Sequence, residues 1–410
     1  MAIATGPTFN PSGAVTNPTA FPNAKPNPTQ RGTMFILDDV STPDAHGNFV
    51  EKSARLDGFR GQIIEHQMYT PEDLQGLSPE SQQAVDTMSQ DHDLNPEQFK
   101  AALRNYDVSR ESGLVDRATA GLQKVDKEGA NHSAVNISSG ETKADLVKEM
   151  TQRIENPYAG ILTSPDPMGG SPGEGAAKAA ADSQKAGQLA FSAMQVFGIN
   201  PDDLNGDDPT KKAAAHAKLQ LALIGQANQA LDGNPKLQHS KDKYNNVVAD
   251  LASKDVAVDV ASGNSGEVGK ELKTPPKDFQ DNVLSNAQTR VIGAEGDIDA
   301  EKNPSDDKED NQDHVAPYTS IGQHYTRTAH GITRLDKTHK EQGSSFGSPR
   351  NCSADAAVLG STNDNIDQAD HFIQQNLTKT LPNAGHPVSE LDDSKLQSYL
   401  KTHDGPTGLN

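Results

Sequence analysis

The chain has 410 residues, a formal charge of −20, a hydrophobic fraction of 33%, an aromatic fraction of 4% and no tryptophan. That acidity excludes nucleic acid as the main partner and disfavours anionic membranes, because like charges repel. The single cysteine, Cys352, excludes a disulfide framework and an all-cysteine zinc site, and no run reaches the ~18 apolar residues of a membrane-spanning helix. The apolar share lies below the usual value of about 45–50%, so small helical cores joined by polar segments are expected rather than one large interior.

Residues 1–32 contain no acid and no leucine and carry prolines at 7, 11, 18, 22, 26 and 28, a composition that predicts a disordered tail. The tail lacks the basic head and apolar centre of a secretory signal peptide. Residues 34–37 and 62–64 read as short strands, with Asp44-Ala45-His46-Gly47-Asn48 as the turn between them. From residue 70 the signals become helical. Thr70-Pro71-Glu72, Ser78-Pro79-Glu80 and Asn95-Pro96-Glu97 each place a capping oxygen, a proline and an acid in order. Phe99, Ala102, Leu103 and Tyr106 then share one helix face, and Leu146, Val147, Met150 and Ile154 mark another helix. Residues 164–175 are rich in proline and glycine and read as a linker.

Residues 174–233 read as a helical hairpin. Its first helix carries Leu189, Ala190, Ala193, Met194 and Phe197 and ends at Gly198, where a left-handed residue belongs. Its second opens at Asp208-Pro209 and carries Leu219, Leu223, Ile224 and Ala227. Tyr244, Val247, Val248 and Leu251 form a shorter stripe. After Thr274-Pro275-Pro276, the four-residue steps Phe279, Val283, Ala287 and Val291 predict one more helix. Residues 295–313 set nine acids against Lys302 and Lys308, which predicts a solvated linker and a domain boundary. Beyond it come a Gly/Ser loop at 343–349, a short helix at 354–359, a helix with Ile366, Ala369, Ile373 and Leu377, and a last one with Leu396, Tyr399 and Leu400.

The expected fold is therefore mainly α: helical hairpins and bundles with a disordered amino-terminal tail, a flexible acidic linker and a small β element near 33–65. The expected units are the tail at 1–32, a small helical region at 33–163, a bundle at 174–294, the linker at 295–313 and a helical region at 315–410.

Cys352 is the candidate nucleophile. It precedes the predicted helix at 354–359, whose dipole would favour a thiolate, and Arg350 is near in sequence. A base would come from His371 or His386, between which spacing does not choose. Against this, a lone cysteine is most often an inert small residue. His314, His324, His330 and His339 stand at irregular gaps unlike metal ligands three or four apart, so solvent-exposed histidines are expected and no metal or cofactor. The acidic run starting at Asp297, Asp299 and Glu301 fails as a calcium loop, because Lys302 stands where glycine must turn the chain. Gly169-Gly170-Ser171-Pro172-Gly173 lacks the lysine of a phosphate loop, and no strand–Ser–helix context suggests a Gly-x-Ser-x-Gly elbow.

The Thr/Asn/Pro-rich tail, together with the acidity and scarce cysteine, resembles proteins delivered by bacterial type III secretion, harpins and effectors among them. In contrast to harpins, glycine is not dominant and one cysteine is present. The resemblance implies a secreted or translocated protein that acts through protein partners, namely a secretion chaperone and a host protein. Two other readings stand beside it: a cysteine-dependent hydrolase or transferase using Cys352, and an acidic scaffold within the cytoplasm.

Overall fold

The computed structural model describes residues 32–403 except 43–44, 57, 70–77, 91–94, 159–171, 267, 269–277, 297–314, 317, 321, 323–324, 335–339, 363 and 382–387. The expected tail, the acidic run at 297–313 and the 164–171 part of the Pro/Gly linker lie outside the described residues.

Short apolar runs build one sheet. Its strands are β1 (Thr33–Asp38), β2 (Gln62–Gln67), β3 (Ser133–Ile137), β4 (Val256–Ala261), β5 (Thr289–Glu295), β6 (Tyr325–His330), β9 (Thr378–Leu381) and β10 (Val388–Leu391). They lie in the order β2-β1-β3-β4-β5-β6-β10-β9, and all neighbours are parallel except β10 and β9. Strands β7 (Ile332–Arg334) and β8 (Lys340–Gln342) form a separate antiparallel pair. Parallel strands need crossovers, and helices supply them on both faces. Alternation along β1 assigns the faces: Phe35 and Leu37 join one core and Met34 and Ile36 the other.

The first face is covered by α3 (Pro96–Lys127) and α8 (Pro235–Ala252), whose Val115, Leu122, Tyr244 and Leu251 meet Leu37, Val135 and Val258. The second face carries α1 (His46–Leu56), α9 (Ser344–Thr362), α10 (Ile366–Asn376) and α11 (Asp393–His403). A third core is mostly helical. It joins α2 (Pro79–Met88), the amino-terminal half of α3, α4 (Lys143–Glu155), α5 (Pro172–Phe197), α6 (Pro201–Asn205) and α7 (Pro209–Leu231).

Local helix signals read from the sequence recur in this layer. Asn95 and Asp208 cap α3 and α7, and Gly198 at φ +62° closes α5 while Ile199 N–H donates back to the Met194 carbonyl at 2.7 Å.

The expectation of a mainly α fold with a small β element is corrected: an eight-stranded mixed sheet organises the chain. Its buried strands, five to seven residues long in β3, β4 and β5, have no amphipathic period to betray them. The four-residue steps after residue 278 coincide with three turns and a strand, since Phe279, Val283 and Ala287 lie in turns at 278–280, 283–284 and 287–288 and Val291 belongs to β5. The strands at 34–37 and 62–64 exist, yet they pair in parallel. Where a turn at 44–48 was expected, residues 46–48 open α1 instead, and Asp44 lies outside the described residues.

The hairpin β9–β10 joins the sheet through a single paired position, Glu390 with Thr328. Beside it, Glu295 at the end of β5 hydrogen-bonds Glu390, and Lys379 Nζ lies 3.0 Å from Glu390 Oε1. Burial, reinforced by Glu390, pushes Glu295 up to about 11. The folded protein therefore holds a proton that the unfolded chain releases above its ordinary value of 4.5, so this contribution is full in acid and fades as pH rises toward 11. Glu295→Gln, which keeps a donor and removes the titration, should flatten the fall in urea-unfolding stability between pH 5 and 9, by up to about 1.4 kcal/mol per pH unit. Identical slopes in the two proteins would contradict the shared proton.

Candidate active site

The carboxyl edge of a parallel sheet is open where the strand order reverses, and here it reverses at β1, which is flanked by β2 and β3. β1 ends there in Asp38, which is 2% exposed. One carboxylate oxygen accepts the Asp39 N–H at 2.6 Å, and the other lies 2.8 Å from His46 Nδ1. The chain turns back sharply to begin α1, and Gly47 N–H donates to the Asp39 carbonyl at 2.7 Å. A Cβ on Gly47 would stand 2.5 Å from Val40 Cγ1 and 2.7 Å from that carbonyl oxygen, so only glycine can follow the histidine.

The far nitrogen of the same ring, His46 Nε2, lies 3.1 Å from Ser345 Oγ. With a carboxylate on Nδ1, the proton belongs on Nδ1, which leaves Nε2 to accept from the serine hydroxyl. The Phe346 ring lies 5.4 Å from the imidazole, tilted by 42°, and limits its rotation.

Ser345 occupies the first turn of α9, where backbone N–H groups have no partner within the helix. Asn264, exposed on the loop after β4, reaches across to it. Its Oδ1 accepts from Ser344 N–H at 2.9 Å and from Ser344 Oγ at 3.1 Å. With the amide oxygen held from behind, Nδ2 is turned outward as a donor. A Cβ on Gly343 would lie 3.0 Å from Ser345 Oγ and 3.3 Å from Asn264 Nδ2, so both atoms border one small space that glycine leaves open. That space suits the oxygen of a carbonyl under attack by Ser345.

Behind its first turn, α9 is buried on all sides, and small residues make its closest approaches to the sheet. Ser348 Oγ donates to Asn136 Oδ1 at 2.7 Å, and Asn136 Nδ2 donates to Ser138 Oγ at 2.6 Å, tying the helix to β3. A Cβ on Gly347 would stand 2.7 Å from the Gly293 carbonyl oxygen. Small residues thus set the height of Ser345 above the strands.

Cys352 lies in the third turn of α9, well past the helix start expected beside it, and is fully buried. Burial, then the neighbouring Asp259 and Asp355, push its thiol well up, away from the thiolate. Nearby, Arg290 grips Asp370 at 2.8 and 2.7 Å, and Arg327 reaches the same carboxylate at 2.6 Å. His371 is half-buried on α10, and His386 lies outside the described residues. The histidine found against a nucleophilic oxygen is His46.

His330, expected to be solvent-exposed, is buried. Its environment, with Arg350 nearby, pushes it down to about 3 and keeps it neutral. Among the described residues no cluster of three or more His, Cys, Asp or Glu side chains could hold a metal ion.

The sequence reading missed Asp38, His46, Asn264 and Ser345. A signal was present: Gly343-Ser344-Ser345-Phe346-Gly347 follows β8 and opens α9, the strand–Ser–helix context that the sequence had seemed to lack.

No protein-family model matches the sequence, and no curated protein matches it. Among solved structures, the chain is similar to a lanthipeptide protease, with a TM-score of 0.40 and 10% identity over 90% of this chain and 89% of that one. It is also similar to the prenylagaramide maturation protease PagA, with a TM-score of 0.38 and 10% identity over 92% and 94% of the two chains. The nisin leader peptidase NisP from Lactococcus lactis gives a TM-score of 0.35 and 11% identity over 93% and 91%. An α/β sheet carrying an Asp–His–Ser line replaces the expected α-helical, effector-like architecture.

The buried thiol predicts that a thiol-reactive probe will leave Cys352 unlabelled in the native protein and label it fully in denaturant. Rapid native labelling, strongest at mildly acidic pH, would contradict this placement.

Proposed function

We propose that the chain is a serine hydrolase that cleaves peptide bonds, with Ser345 as nucleophile, His46 as general base and then general acid, and Asp38 as the group that orients and charge-balances the histidine. The observation that carries this reading is the unbroken line from Asp38 Oδ2 through both nitrogens of His46 to Ser345 Oγ, at 2.8 and 3.1 Å. An Asp–His–Ser order along an α/β chain is also the order in which subtilisin carries this constellation.

As Ser345 Oγ attacks the carbonyl carbon, its proton moves to His46 Nε2. The carbonyl oxygen gains charge and enters the space between Ser345 N–H and Asn264 Nδ2, two donors already fixed before substrate arrives. Asp38, nearly fully buried, stabilises the imidazolium through Nδ1. His46 then gives the proton to the departing amine, and water, activated by the same nitrogen, releases the acyl group from Ser345. The hydrolase alternative drawn from the sequence is kept in this reading, but the oxygen of Ser345 takes the place of the sulfur of Cys352.

Ser345→Ala and His46→Ala should each lower kcat for an internally quenched peptide library by at least about 10⁴-fold. Asn264→Ala should lower kcat by about 10²–10³-fold with little change in KM, because its donor acts on the transition state. Retained hydrolysis in Ser345→Ala, or its loss in Cys352→Ala while that variant stays folded, would overturn the assignment.

A further inference from the structure

We infer that this site, if the serine-hydrolase reading on which the inference rests is right, accepts only glycine, alanine or serine immediately before the scissile bond, and that Asn282 enforces the limit. The direction of the substrate follows from the groups that must touch it. The leaving amine has to lie at His46 Nε2 and the oxyanion at Asn264 Nδ2. The acyl half therefore departs away from α1, over the carboxyl ends of β3 and β4. It is bordered there by residues 138–140 on one side and 262–264 on the other.

Those two segments are closed onto each other. A Cβ on Gly140 would overlap the Ala261 carbonyl and stand 2.6 Å from Asn282 Nδ2, so the β3 extension rests directly on the β4 end. Asn282 lies against both and is 2% exposed. Its Nδ2 donates to the Ala261 carbonyl and its Oδ1 accepts from Leu284 N–H at 2.7 Å, so both ends of the amide are held by backbone. The segment carrying it is fixed in turn, because Val283 N–H donates to the Glu141 carbonyl at 2.9 Å.

Under the oxyanion loop the floor is equally full. Gly263 has φ +101°, and a Cβ there would lie 2.8 Å from Asp145 Oδ2. A branched or aromatic side chain entering between these segments would have to break buried backbone hydrogen bonds, whereas a methyl or hydroxymethyl group can rest above them.

The test uses the full chain and peptide anilides that differ only in the residue before the cleaved bond. Alanine should exceed leucine, phenylalanine and lysine in kcat/KM by at least about 20-fold. Asn282→Ala should narrow the alanine-to-leucine ratio by about fivefold or more, while the rate of Ser345 labelling by a fluorophosphonate stays within about twofold of the parent. If Asn282→Ala fails to fold, the profile of the parent protein alone decides. A parent that labels at Ser345 yet cleaves after leucine or phenylalanine as fast as after alanine overturns the size limit and leaves the hydrolase assignment standing. Absence of both labelling and cleavage overturns the two together.

Discussion

The seating of α9 on the sheet is the constraint from which the site follows. The helix is buried on every side, so its first turn cannot choose its height or direction; the strands beneath it do. Ser348 bonded to Asn136, and Gly347 pressed against the Gly293 carbonyl, hold Ser345 level with the ends of β1 and β4. Those ends deliver Asp38 and Asn264. Ser345, the carboxylate that holds His46 and the Asn264 amide thus come from three elements that meet because one helix lies flat on a parallel sheet.

A set of ionic groups lies behind the site: Arg290 of β5 and Arg327 of β6 share Asp370 of α10, with Asp259 of β4 and Asp355 of α9 beside them. Burial raises Asp259 well above the usual carboxylate range, and the neighbouring Asp355 raises it further. Burial and this like-charged neighbour both favour the neutral form of Asp259. Cys352 belongs to this layer, which explains why it is present and why it is not poised for attack.

How much of this was legible in the sequence depended on whether an element touches water. Helices with one wet face announced themselves: the Asn95 and Asp208 caps and the Gly198 stop stand where the sequence put them. Elements with no wet face did not. Residues 256–261 are buried on both sides and read as nothing in particular, and α9 was divided into a loop and a short helix because Ser, Gly and Ala give no stripe. The contacts around His46 went unread for a related reason. Attention went to the one thiol, while His46-Gly47 and Gly343-Ser344-Ser345 looked like turn chemistry. Glycine was indeed needed at both places, but to let the backbone beside His46 and Ser345 approach its neighbours closely rather than to reverse the chain. Only the long-range pairing of residues 38, 46 and 345 makes the difference visible, and sequence spacing does not encode it.

The most direct measurement is to trap the acyl-enzyme. The protein is mixed with a slowly released activated acyl donor, quenched in acid and mapped by mass spectrometry. The account predicts one acyl group per chain, attached to Ser345, and its loss when His46 is replaced by alanine. An acyl group on Cys352, or unchanged acylation of Ser345 without His46, would contradict it.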